Sequence, residues 1–240
     1  MLPILSFLVL SLAAIVIVAL VMAGLMIAGV MTSTASTVVN LLYFVLLVTA
    51  GYIAFGRPKG FTALPSRVRP LIHAALGGAT LGILPGIMAT WLLGYFPWMS
   101  FGGLDGVPGV VVGDWGMVVL IVFAAPMIEE LIFRGWFWES LQGKYSTIAT
   151  TLITSFLFAG YHIEPIHVLC VLPMGLWLGW VRSNSKTIYP GVLAHIANNG
   201  FAVATMLWAA KGFEFSLGYG LFAAFNSIMA GAMIQMTRED

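Results

Sequence analysis

The apolar run from residue 4 to residue 31 constrains this chain more than any other feature. Residues 1–31 contain no Lys or Arg, and the run is about twice as long as the apolar core of a signal peptide. A bilayer is crossed by about 20 mainly apolar residues in helical form, so the sequence predicts a first spanning helix that is retained. Comparable runs recur at about 37–55, 71–95, 114–137, 147–163, 166–182, 188–209 and 216–236. The fifth and sixth are short and part only at Glu164-Pro165. With 60% hydrophobic and 8% charged residues in 240, against about 25% charged in a soluble domain, the composition belongs to an integral membrane protein. Open sheets cannot satisfy their backbone groups in lipid. The expected fold is therefore all-α: a polytopic membrane protein of about eight transmembrane helices, forming a single integral membrane domain over residues 1–240, without internal repeats.

Loop charges predict orientation. Placing the 56–70 loop, with Arg57, Lys59, Arg67 and Arg69, in the cytoplasm puts Lys144, Arg182, Lys186 and Arg238 there too. The opposite side holds Lys211 with Asp105, Asp114 and Glu214, so both termini are expected in the cytoplasm. "GGLDGVPG" (Gly102 to Gly109) reads as an external turn-rich loop, "RSNSK" (Arg182 to Lys186) as a short cytoplasmic turn, and Pro190 suits the first turn of helix seven. The net charge of +1 says nothing useful about nucleic acid, but no basic tract exists to bind it, so no nucleic-acid partner is expected. The single cysteine, Cys170, excludes a disulfide framework and reads as apolar filler.

Against this background "APMIEELIFRGW" (Ala125 to Trp136) is expensive. Three charges in a spanning helix cost on the order of 8–10 kcal/mol, and the helix's large apolar residues return about 3–7 kcal/mol. The charges are therefore expected to face protein or trapped water. Glu130 and Arg134 are four residues apart, share a face and can neutralise each other. Glu129 points about 100° away and has no basic partner within a turn of its own helix. An unpaired carboxylate in a low-dielectric site suits a general base near neutral pH. Pro126 predicts a kink just before the pair and a freed carbonyl.

Two of the four histidines lie in comparable positions. His162 closes helix five in "FLFAGYH", and His195 lies inside helix seven in "LAHIANN". Asn198 or Asn199 could share the face of His195, with room left by Ala194 and Ala197. His73 and His167 read as satisfied surface or interfacial histidines. A carboxylate can take a proton from water and an imidazole can orient that water. A second imidazole and an amide can stabilise an oxyanion. The same groups could instead hold Zn²⁺ through Glu129, His162 and His195, with water as fourth ligand, although the local HExxH of zincins is absent.

These motifs resemble the CPBP family of CAAX proteases and bacteriocin-processing proteins, also called Abi, which includes the type II CAAX prenyl endopeptidase. The family signature is EExxxR, FxxxH and HxxxN on successive membrane helices. Here it stands as Glu129-Glu130-Leu-Ile-Phe-Arg134, Phe158-Ala-Gly-Tyr-His162 and His195-Ile-Ala-Asn-Asn199. "TIYPGVLAHIANN" (Thr187 to Asn199) resembles the usual approach to the last motif. The resemblance covers about residues 114–210, the expected catalytic core. It implies an intramembrane endopeptidase of a prokaryotic cell membrane, acting on a peptide or protein substrate that in the CAAX type is lipidated. It further implies that Glu129 activates water with His162, that His195 and Asn199 stabilise the oxyanion, and that Glu130 and Arg134 support the site. The family carries a metalloprotease label, but an amide in place of a third strong ligand favours a metal-free, glutamate-dependent mechanism.

Two other readings use the same groups: a non-catalytic member acting in bacteriocin self-immunity or membrane regulation, and a proton-coupled transporter. The protease reading expects a water-filled cavity among helices four to seven. It also meets a geometric tension. At about 1.5 Å per residue, His162 lies some 23 Å from the start of helix five and His195 only some 10 Å into helix seven, so helix five is expected to be tilted, displaced or longer.

Overall fold

The computed structural model describes residues 2–58, 69–81, 88, 115–209, 225–226 and 228–229. Among these the regular structure is helical, with one isolated bridge between Gln142 and Tyr145 and no strand. The helices are α1 (Leu2–Ile27), α2 (Ser33–Phe55), α3 (Arg69–Leu81), α4 (Trp115–Leu141), α5 (Thr147–Gly160), α6 (Pro165–Ser185) and α7 (Tyr189–Ala209). Four of them, α1, α2, α4 and α6, are long and apolar enough to cross a membrane, while α3 and α5 are shorter apolar helices. The chain is thus a helical integral membrane protein. Of the expected eighth helix at 216–236 only residues 225–226 and 228–229 are described, and of the third beyond Leu81 only residue 88, all helical; the 102–109 loop lies outside the described residues.

Local chemistry sets the helix ends. Thr32 and Ser146 cap α2 and α5, their hydroxyls accepting from the amides of Ala35 and Ala149. Pro165 occupies the first turn of α6, where a missing N–H is harmless. Helix α6 continues through the expected "RSNSK" turn to Ser185. Asn184 and Ser183 donate back to the Trp180 carbonyl at 2.9 and 2.7 Å and are satisfied within the helix, while Arg182 turns inward to the Arg134 carbonyl of α4.

Helices α1 and α2 present Leu8, Leu12, Leu20, Leu41 and Ile53 outward, as a lipid-facing surface requires. Their inner faces meet α4 in an aromatic cluster. Phe7 packs edge-on against Phe137 with centroids 5.3 Å apart, Trp136 lies near Phe55 and Tyr52, and its indole donates to the Gly56 carbonyl at 2.7 Å.

Small residues bring the remaining helices together, since close backbone approach drives helix association in lipid. Gly175 and Gly179, a GxxxG pair on α6, face Ser155, Phe158 and Thr151 of α5, where an added Cβ would stand 2.9 Å from Phe158 and from Thr151. Gly78 on α3 lies directly against the Ala194 backbone of α7 and leaves no space for a side chain.

Candidate active site in the bundle core

Helix α4 carries the charged stretch, and its hydrogen-bond register slips twice. Residues Leu120–Ala124 and Leu131–Phe137 are π-helical, a geometry frequent at functional sites. In the first, the Ala125 amide reaches back to Leu120 O. Ile121 O then loses its ordinary partner, and the next candidate donor is Pro126, which has no N–H. The Asn199 side-chain amide on α7 donates to that carbonyl at 2.9 Å. In the second, the Trp138 amide goes to Phe133 O and Gly135 O. Arg134 O is bypassed, and Arg182 Nε of α6 donates to it at 2.9 Å. The proline-induced break expected before the glutamates thus takes the form of a widened turn whose released carbonyl ties α4 to α7.

Between the two slips lie Glu129 and Glu130. Glu130 and Arg134 form the expected i,i+4 pair, 2.9 Å apart and both 0% exposed. Arg134 Nη2 also donates to Gly175 O at 2.7 Å, and its guanidinium lies 4.5 Å from the centre of the Phe158 ring. Ser155 Oγ donates to the same Gly175 carbonyl at 2.8 Å. The buried cation is therefore held by a carboxylate, a carbonyl and an aromatic face from three helices. That is the compensation a charge removed from water requires.

His195 bridges the two glutamates. Its Nδ1 lies 3.3 Å from Glu130 Oε1 and its Nε2 lies 3.7 Å from Glu129 Oε2. Glu129, unpaired along its own helix, has its counterpart across the bundle on α7. Gly191, one turn before His195, sits over Glu130, where a Cβ would stand 2.9 Å from Oε2. Glu130 Oε2 and Asn198 Oδ1 are buried without a partner among the described residues, and such acceptors are ordinarily hydrated.

His162 follows the end of α5, held by a 2.9 Å contact between its Nδ1 and Phe158 O. Its ring and that of His195 each pack edge-on against Phe158, with centroids 5.1 and 5.5 Å from it. Phe158, the first residue of the FxxxH motif, is thus the shared wall for both histidines and Arg134. The two histidines meet at Phe158 despite their different offsets from the starts of α5 and α7, and Thr187 and Ile188, just ahead of α7, are buried. Helix α5 begins at Thr147 as expected, and Ile163 turns the chain at φ 64° just past His162.

Asn199 accepts from Asn198 Nδ2 at 3.1 Å and uses one amide N–H on Ile121 O, which leaves its second. His167 lies 4.6 Å from His162, ring to ring, a neighbour hidden in sequence by the turn at Pro165. His73 is half-buried and its Nδ1 has no partner among the described residues, unlike the satisfied histidine expected there. Cys170 is buried and free, as expected. Among the described residues, no three His, Cys, Asp or Glu side chains converge as a metal would require. Of the Glu129, His162 and His195 set named for zinc, His162 has its Nδ1 engaged by Phe158 O, which leaves Nε2 as its other ring nitrogen, an arrangement also found in metal-binding histidines.

The described bundle of apolar helices thus encloses two carboxylates, an arginine and a bridging imidazole. Residues 111–201 match the family model for the type II CAAX prenyl endopeptidase Rce1-like proteins, which bears out the resemblance carried by the three motifs. The chain is also similar to the "Putative membrane peptidase YdiL" of Bacillus subtilis (strain 168), 29% identical over 91 residues. That alignment spans 38% of this chain and 37% of the relative's length. No solved structure matches the chain.

Proposed function

We infer that this protein is an intramembrane endopeptidase that hydrolyses a peptide bond of a peptide or protein substrate reaching the bundle core. The observation that carries the reading is the buried placement of Glu129 opposite His195 Nε2, beside a glutamate already committed to Arg134. The division of labour is chemical. Glu130 neutralises Arg134 and touches His195, so its role is positioning. Glu129 is the carboxylate available to a substrate water.

In the proposed reaction, water oxygen attacks the scissile carbonyl carbon while Glu129 takes the water proton. The oxyanion accepts hydrogen bonds from His195 Nε2–H and the second N–H of Asn199, and Glu129 returns the proton to the departing amine nitrogen. His162 assists by orienting the water. No step requires a metal. The match to a prenyl endopeptidase family supports a lipidated substrate, whose hydrocarbon tail would remain in the bilayer while the peptide enters the core.

The test is Glu129→Gln. Wild type and variant are expressed in the same host, and newly formed peptide termini in the membrane proteome are read by mass spectrometry. Termini present with wild type should fall about 100-fold or more with the variant, the scale on which general acid–base groups contribute. An unchanged set of termini would remove Glu129 from the mechanism.

A further inference from the structure

One recess lies away from the glutamates. A cavity of about 820 Å³ opens at the end of the bundle where α2, α4 and α6 finish and α5 begins. Arg57, Arg182 and Lys186 line it, against the single carboxylate of Glu139 in the described wall. Arg182 is 5% exposed and lies 3.8 Å from Glu139, too far for a tight pair. Thr147, the first residue of α5, is also in the wall, so the positive end of that helix and its unbonded amides border the cavity. The described wall thus carries three cations and one carboxylate, its other polar side chains being the neutral Ser140, Gln142, Thr147 and Ser183.

We propose that this cavity binds a phosphate group, and that the group is the headgroup phosphate of an anionic phospholipid. Phosphate oxygens supply the negative charge that this wall lacks, accepting from an arginine fork, an ammonium and a helix N-terminus. The lipid source follows from position. The cavity lies at the ends of α2, α4 and α6, all long enough to cross a membrane, which is the level where headgroups lie. Basic pockets between transmembrane helices are suited to such headgroups. Occupancy would reach the core, because Arg182 in the wall donates to Arg134 O, and Arg134 carries the Glu130 pair.

The test uses the full chain in neutral detergent, read by thermal unfolding and by lipid retention in native mass spectrometry. Phosphatidylglycerol, phosphatidylcholine and inorganic phosphate are compared on wild type and on the Arg57→Gln/Lys186→Asn double variant. That variant spares the buried Arg182 and uses Asn where φ is positive (Lys186, φ 56°). The expected result is a higher unfolding temperature and retained lipid with phosphatidylglycerol, little change with phosphatidylcholine, and at least a tenfold weaker effect in the variant. Protection by inorganic phosphate alone, lost in the variant, would refute the lipid source while leaving a phosphate site. Equal protection of wild type and variant, or none by either phosphate source, would overturn the proposal.

Discussion

Glu130→Gln isolates the cost of the buried cation. The substitution removes the charge 2.9 Å from Arg134 while leaving the side-chain shape, and both residues are fully buried. Orphaning one member of a buried pair costs about 3–5 kcal/mol. Arg134 keeps its 2.7 Å bond to Gly175 O and its place 4.5 Å from the Phe158 ring centre, so the lower end, about 3 kcal/mol, applies. For a chain of this size each kcal/mol shifts the unfolding temperature by about 2–4 °C, and the expected fall is roughly 6–12 °C in a detergent-solubilised thermal scan. Glu129→Gln is the matched control. Its facing imidazole is 3.7 Å away, beyond hydrogen-bond range, so its stability should change by less than about 1 kcal/mol. Adding Arg134→Met to Glu130→Gln should restore part of the loss, because the stranded charge is gone and Ser155 still donates to Gly175 O. Equal unfolding temperatures for wild type and Glu130→Gln, or an equal drop for Glu129→Gln, would refute the assignment of Glu130 as structural and Glu129 as available.

Two further substitutions probe the packing that assembles the site. Phe158→Ala, at a side chain 1% exposed, should cost about 3–5 kcal/mol; Phe156→Ala, at an outward-facing position on the same helix, should cost far less in the same scan. Gly78→Val should lower stability by at least about 1–3 kcal/mol and activity with it, since it presses on the α7 backbone one residue before His195. Gly24→Val, where α1 has open space, is the control expected to be near neutral.

The parts legible in the sequence were those written in local spacing. The i,i+4 relation of Glu130 to Arg134 follows from helix geometry alone, and Pro165 marked the start of α6. Asn199 could be placed on the face of His195, but its bond to Ile121 O could not be read. That bond depends on a register slip in a segment apolar on every side, where periodicity carries no signal. The bridging of both glutamates by His195 was hidden for another reason: it depends on where α7 stands against α4 and on how closely α3 approaches it. Arg182 was misjudged most. It reads as the first residue of a polar turn, yet it is buried, because the carbonyl bypassed at Arg134 gives its guanidinium a partner. Charge counted along the chain says where a loop is expected; it does not say which cation has been drawn inward.

The 14 residues of α5 reach about 21 Å as a helix, against a hydrocarbon core of about 30 Å. Such a segment cannot be handed to lipid alone during synthesis, and neither can α4 before its arginine is masked. Both lean on α6, whose glycine pair faces α5 and whose Gly175 O accepts from Arg134. A chain truncated before α6 would therefore leave Arg134 without its carbonyl acceptor and α5 without its facing glycines.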